Sequence, residues 1–316
     1  MTKTHKKMAL LLTLFLVLLG SGCLYSRSVD NRTPAPVGAE PKQEQRQSTE
    51  NKQAELPQKQ QEETEKPAAE APEDQQKPAI PAETTKAQDV SNEKYSWYFK
   101  PNDQHLLPEV NAKGKELLDQ YQGIYHGDTS GKNIYLTFDE GYENGYTPMI
   151  LDALKAANVK AAFFITGDYI RRNPELVQRM ANEGHVVGNH TDHHPSLPSV
   201  DDATLRKELT SLSDAYKQLT GREMSYLRPP MGEYSARTLK ITREMGYTNV
   251  FWSVAMKDWI PDAGTPQEHQ TMVMSRLHNG ALILLHAVNK ANAEMLPSLI
   301  EECRQQGYQF KALDER

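Results

Sequence analysis

The sequence predicts an α/β fold in which a parallel sheet curls into an incomplete barrel. Seven short β-branched or aromatic runs alternate with amphipathic stretches, the pattern of repeated βαβ units. Glycine closes several amphipathic stretches and leads into the next strand, at Gly184, Gly246 and Gly307. Six polar clusters fall at or just past predicted strand ends, and a closed α/β sheet gathers its strand C-termini on one face. Periodicity alone leaves a doubly wound sheet as the alternative.

In chain order, the first strand is read at residues 133–138, a strongly apolar run that ends against Asp139 and Glu140. Residues 148–157 are amphipathic and read as a helix, followed by a strand at 161–166 (Ala-Ala-Phe-Phe-Ile-Thr). A helix at 174–183 closes on Gly184 and leads into a strand at 185–189. A long amphipathic stretch at 203–220 precedes a short strand at 226–228. A helix at 235–245 closes on Gly246 before a strand at 248–253 (Thr-Asn-Val-Phe-Trp-Ser). Residues 266–277 form the next helix, and 281–285 (Ala-Leu-Ile-Leu-Leu) are apolar enough for a central strand. A helix at 292–306 closes on Gly307, and the last strand is read at 309–313.

The fold occupies residues 93–316 of the 316-residue chain, ample for one core. Residues 1–25 read as an export signal, with Lys3, Lys6 and Lys7 before a charge-free run at 8–19. Small residues then lead to Cys23, which leaves lipidation at that cysteine, cleavage elsewhere and an uncleaved anchor as alternatives. The uncharged stretch at 8–25 barely reaches the ~20 residues a span requires. Residues 26–92 hold no aromatic residue and one glycine, so they read as a disordered linker, a spacer rather than a partner-binding region. The formal charge of −6 is unclustered and carries no nucleic-acid signature. With only Cys23 and Cys303, no disulfide forms within the folded part, and Cys303 on the terminal helix reads as a buried, inert thiol.

Each polar cluster has a bland reading beside its chemical one. His190 and His194 are four apart, a spacing that on a helical turn puts both imidazoles on one face for a divalent cation. The alternative is a surface loop of satisfied histidines, with His193 pointing elsewhere. Asp139 and Glu140 end an apolar strand, where carboxylates are costly without a cation or hydrogen bonds. Adjacent residues there point to different sides, so one could bind a metal while the other faces the attacking water. The alternative is a charged loop start. His286 ends the central strand as either a core histidine or a general acid, and Asp258, just before Trp259, is a plausible orienting carboxylate for it. Arg228, before two prolines, could hold Asp139 ionised or form a simple helix-cap salt bridge.

Together and in this order, Thr-Phe-Asp-Glu-Gly at 137–141, His-Thr-Asp-His-His at 190–194, Arg-Pro-Pro-Met-Gly at 228–232, Asp258-Trp259 and Leu-Leu-His at 284–286 resemble the polysaccharide deacetylase family over about residues 132–315. Finer detail at 138–148, at 251–255, at 286–294 and at 96–100 resembles its delta-lactam-biosynthetic branch. The resemblance implies a distorted (β/α)₇ barrel of NodB type. It implies Asp139 as general base, positioned by Arg228, with His190, His194 and Glu140 as metal ligands. His286 would be the general acid oriented by Asp258. The Met231 N–H would meet the oxyanion, and Trp259 and Tyr142 would border the sugar. The cofactor it implies is a divalent metal, zinc first.

Three departures from the family pattern carry weight. Glu140 stands where the family has an aspartate, which leaves direct ligation, ligation through water, or none. Met231 replaces an aromatic residue, and Ala255 replaces another aspartate. The expected activity is metal-dependent N-deacetylation of muramic acid residues in peptidoglycan by an exported, envelope-associated monomer, leading to muramic δ-lactam in spore cortex. The expected partners are glycan strands, with membrane association through the N-terminal segment. The rivals are an N-acetylglucosamine deacetylase and an inactive glycan-binding relative.

Overall fold

The computed structural model describes residues 90–316 apart from Pro261. The expected export segment, and the expected linker as far as residue 89, lie outside the described residues. Contacts of the folded body begin at Ser91, two residues before the expected start. Arg237 N donates to Ser91 O (3.0 Å), Asn92 Nδ2 to Pro198 O (2.9 Å) and Ser235 Oγ to Asn92 Oδ1 (2.8 Å). Among the described residues no helix is long and apolar enough to cross a membrane.

The chain enters through β1 (Tyr95–Ser96), β2 (Phe99–Lys100), β3 (Glu109–Val110) and α1 (Ala112–Tyr121). Sequence reading missed the three strands because two-residue strands have no period to detect, and it did not read α1. The repeating part follows as β4 (Asn133–Glu140), α2 (Thr147–Ala156), β5 (Ala162–Ile165), α3 (Gly167–Arg172), α4 (Pro174–Asn182) and β6 (Val186–Asn189). It continues with α5 (Asp202–Thr220), β7 (Tyr226–Leu227), β8 (Glu233–Tyr234), α6 (Ala236–Glu244), β9 (Thr248–Asn249) and β10 (Val254–Ala255). It ends with α7 (Pro266–Arg276), β11 (Ala281–His286), α8 (Lys290–Gln305) and β12 (Gln309–Phe310). Gly184, Gly246 and Gly307 sit at helix ends with φ of 80°, 89° and 85°, the left-handed conformation that favours glycine.

The main sheet has eight strands, all parallel, in the order β10-β11-β4-β5-β6-β7-β9, with β12 pairing the start of β4. The strand expected at 248–253 is in fact two. β9 ends at Asn249 on one edge of the sheet, and the chain crosses to the other edge to form β10. That crossing stretch spans the gap between the two edges, so the sheet curls into the expected distorted barrel without closing by strand pairing.

Alternation along β4 sorts its side chains into two layers. Ile134, Leu136 and Phe138 face outward and pack with Leu154, Tyr169, Leu296 and Leu299 of the helices. Tyr135 faces inward with Ala162, Phe164, Val250 and Leu282. β11 obeys the same rule, with Ile283 and Leu285 outward and Leu282 inward. Cys303 is buried in the outer layer beside Met274, and burial pushes its thiol pKa up to about 12, which makes it inert at neutral pH.

Candidate active site

Asp139 shares the inward phase of Tyr135 and Thr137, and the β4–β11 register sets His286 directly across from it. Asp139 Oδ1 accepts a hydrogen bond of 2.7 Å from Nη1 of Arg228, which follows β7 and is wholly buried. The guanidinium also donates from Nη2 to Thr137 Oγ1 (2.8 Å) and from Nε to Val250 O (3.3 Å). It lies 4.2 Å over the Phe164 ring. That ring has room because residue 188 is glycine; a Cβ there would come within 2.5 Å of it. Burial, the largest single influence, would raise the Asp139 pKa. The Arg228 charge, the neighbouring imidazoles of His190 and His286 and the Arg228 hydrogen bond together outweigh it and hold the carboxyl below its ordinary range. Burial also works against the Arg228 charge, yet a guanidinium stays protonated at neutral pH. The helix-cap reading of Arg228 is therefore set aside.

His190 leaves β6 with Nδ1 at 2.8 Å from Arg228 O. A carbonyl only accepts, so Nδ1 holds the proton and Nε2 presents a lone pair. His194 Nε2 lies 3.2 Å from that lone pair, and Asp139 Oδ2 lies 3.6 Å from it. The histidines do not meet on a helical turn, as their spacing led us to expect. Residues 190–194 are irregular, with Thr191 and His194 at φ of 69° and 58°. The turn is held by His194 N donating to Thr191 Oγ1 (2.9 Å) and by Glu208, which takes His193 N (2.7 Å) and pairs with His193 Nδ1 (2.8 Å). His193 thus points away, as expected. Burial lowers the pKa of both inward imidazoles, that of His190 to about 4, so both are neutral ligand-type nitrogens at neutral pH.

His286 Nδ1 lies 2.7 Å from Asp258 Oδ1, and His286 N donates to Asp258 Oδ2 (2.9 Å). Asp258 is fully buried, so its charge acts at close range on the imidazole. Burial disfavours the imidazolium, but Asp258 and then Asp139 outweigh it and raise the His286 pKa. Trp259 stands beside His286 with ring centres 5.2 Å apart, half-exposed. Met231 sits in a left-handed turn (φ 58°) whose hydrogen bonds run from Gly232 N to Pro229 O and from Glu233 N to Pro230 O; neither uses the Met231 N–H. Asp139, His190, His194 and His286 line one cavity of about 440 Å³, walled by Tyr142, Met231, Trp252 and Trp259.

Glu140 is the exception. It takes the outward phase of β4 and lies fully buried in the helix layer. There Thr147 Oγ1 donates to its Oε2 at 3.4 Å, and Oε1 has no partner. Glu140 does not line the cavity, so the expectation of a third metal ligand is corrected: alternation sends it to the wrong side of the sheet. Burial, then the charge of Glu143, push its pKa well above the carboxylate range. The loop after β4 borders the cavity only in part. Tyr142 lines it, but Glu143 turns back to Tyr169 OH (3.1 Å) and Asn144 Nδ2 to Val288 O (3.0 Å).

A family pattern described as polysaccharide deacetylase matches residues 126–250. The chain is 41% identical over 232 residues to the peptidoglycan-N-acetylmuramic acid deacetylase PdaA of Bacillus subtilis, covering 73% of this chain and 88% of that one. The chain belongs to the polysaccharide deacetylase family. The solved structure of the Bacillus subtilis protein, described as a family 4 carbohydrate esterase, superposes with a TM-score of 0.70, covering 72% of this chain and 97% of that one. A peptidoglycan-N-acetylglucosamine deacetylase of Bacillus cereus is 33% identical over 201 residues, covering 62% of this chain and 72% of its own. A Bacillus anthracis family 4 pseudoenzyme is 27% identical, with a TM-score of 0.58 over 61% of this chain and 68% of that one.

As a polysaccharide deacetylase the chain is a hydrolase, and its cavity can be tested for the metal that the resemblance implies. Among the described residues no three imidazole, carboxylate or thiol side chains converge as a complete ligand set. Two neutral imidazoles with facing Nε2 atoms 3.2 Å apart nevertheless fit a cation, which would bind the His190 Nε2 lone pair and that of His194 in its Nδ1-protonated tautomer. Asp139 Oδ2 is the carboxylate oxygen beside them. The sequence reading gave no role to Thr137, Trp252, Glu208 or Asn292. Thr137 stood inside a quoted motif and was the one most open to detection, since its inward phase is that of Asp139.

Proposed function

We propose that this deacetylase removes the acetyl group from N-acetylmuramic acid residues of peptidoglycan. The observation that carries the chemistry is the facing pair Asp139 and His286, one held by Arg228 and the other by Asp258, in the cavity lined by His190 and His194. The choice of sugar rests on the likeness to the Bacillus subtilis protein, which exceeds that to the N-acetylglucosamine deacetylase in identity and in coverage. A divalent cation, zinc first, held by His190 and His194 would polarise the acetamide carbonyl and acidify water. Asp139, kept ionised by Arg228, takes the proton of the attacking water. The Met231 N–H supports the developing oxyanion. His286, doubly protonated, gives its Nε2 proton to the departing nitrogen, so acetate and a free amine leave. Trp259 and Tyr142 form the walls against which the sugar ring lies. In spore cortex the freed amine would then close onto the neighbouring lactyl carbonyl with loss of water, giving a δ-lactam. The segment at 1–25 would export the enzyme to the envelope, where glycan strands are its partner.

Acetate release from glycan strands freed of stem peptides, set against chito-oligosaccharides, tests this reading. A site shaped for the 3-O-lactyl group leaves groups unpaired with the simpler sugar, so little turnover of chito-oligosaccharides is expected. Comparable specificity constants would move the chain to the N-acetylglucosamine deacetylases, and no release from either would make it an inactive relative.

His190→Ala and His194→Ala should each remove bound zinc, read by elemental analysis, with the fold retained. Glu140→Gln should leave zinc affinity within a few-fold, whereas even an outer-shell partner of a metal typically costs about ten-fold or more. Full zinc content in either histidine variant, or a large loss in Glu140→Gln, would reverse these assignments.

The pH profile follows from His286. An acid must be protonated to act, so activity holds as pH rises until the raised His286 pKa is passed. The alkaline limb should therefore lie above the ordinary imidazole value of about 6.5. Asp258→Asn removes the larger of the two charges that raise it and leaves only Asp139 to oppose burial, so the limb should move down. An unmoved limb would take the acid role from His286.

A further inference from the structure

Asn292 lies in the first turn of α8 and is fully buried, between Ala291 and Ala293 of the apolar face. A buried amide is costly unless its polar atoms are paired, and here they all are. Nδ2 donates to Asp258 Oδ2 (2.6 Å) and to His286 O (2.9 Å). Neither acceptor can donate, so the amide orientation is determined and Oδ1 must face His269 Nδ1, 2.8 Å away. His269, buried on α7, therefore carries its proton on Nδ1. The Asp258 carboxylate is thus held by His286 N, His286 Nδ1 and Asn292 Nδ2, and only the last comes from outside the histidine it serves. Asn289 Nδ2 secures the same residue through its backbone carbonyl (2.8 Å).

We propose that Asn292 is a positioning residue of the deacetylase, and that His269 locks it in place. The amide stops the Asp258 carboxylate from rotating about its side-chain bond, so that Oδ1 stays on His286 Nδ1 and the Nε2 edge stays toward the cavity. A chain of hydrogen bonds then runs from α7 through α8 to the acid at the end of β11. This rests on the acid role given to His286 above.

Two readouts separate positioning from mere packing. The first is the His286 Nδ1 proton resonance, assigned by its loss in His286→Ala. It should lie far downfield in the wild-type protein and shift or broaden in Asn292→Ala. An unchanged resonance overturns the proposal whatever His286 does in catalysis. The second is kinetic, on stem-peptide-free glycan strands. Asn292→Ala should lower kcat by about ten- to a hundred-fold, the size of a hydrogen bond to a charged group, with KM within about two-fold. In a His286→Ala background it should cost almost nothing more, because the group it positions is gone. Equal losses in both backgrounds mean a structural role and overturn the proposal. Near-normal kcat in His286→Ala alone instead refutes the acid role and leaves the resonance to decide the clamp. If Asn292→Ala does not fold, His269→Leu decides: it should move the resonance and lower kcat by about two- to ten-fold, the worth of a neutral hydrogen bond, and no change in either sinks the proposal.

Discussion

Asp139→Asn is expected to lower kcat by about 10²–10⁴-fold, the usual contribution of a general base. An amide nitrogen cannot take the proton of water, and the other groups that line the cavity stay in place. Zinc should stay bound, because the neutral imidazoles of His190 and His194 are untouched. The same change has a second effect, since Asp139 is the counter-charge of a fully buried guanidinium. Removing one partner of a buried pair costs about 3–5 kcal/mol. The Asn amide oxygen can still accept from Arg228 Nη1, so the loss should fall toward the lower end. Single-turnover acetate release, zinc content and urea denaturation on one preparation separate the two effects. Turnover within a few-fold of wild type would overturn the base role proposed for Asp139.

Arg228→Met should be the more destabilising variant. It leaves the Asp139 carboxylate almost buried with its strongest donor gone, and it removes the cation that stacks on Phe164. It also strips the hydrogen bond from Thr137 Oγ1, which still has Ile283 O as its acceptor. The upper end of the 3–5 kcal/mol range, about 5 kcal/mol, is expected from urea denaturation at neutral pH. The loss should shrink at low pH. With Arg228 gone the Asp139 pKa is free to rise, so protonation should recover part of the loss as the pH falls. Pairing Arg228→Met with Asp139→Leu, which removes both charges, should restore much of the stability without restoring turnover. A double variant no more stable than Arg228→Met would show that the guanidinium acts through packing rather than charge.

The strand-end clusters were legible because their signals are local. An apolar run such as 281–285 marks a strand, and the polar residue that ends it, His286, is marked with it. The short pieces escaped for the same reason. β1, β2, β3 and β8 are two residues each and carry no period at all, whereas β7 is read at 226–228. The strand expected at 248–253 was divided because the curl of the sheet needs the chain to leave one edge and reach the other, which no property of Val250 or Phe251 announces.

The sequence by itself determined the alternation of strands and helices, the order of the polar clusters and the family they resemble. These depend on periodicity, glycine placement and short motifs, all of which act over a few residues. Alternation also required that Asp139 and Glu140 part company. Only the tertiary structure decided which of the two faces the cavity, because strand phase is set by the layers packed on each side: Phe164 and Leu282 within, Leu154 and Tyr169 without. It likewise decided that His190 and His194 meet through an irregular turn braced by Glu208, and that Asn292 on one helix and His269 on another close around Asp258. Those contacts join segments far apart in the chain, and sheet register and helix docking bring them together.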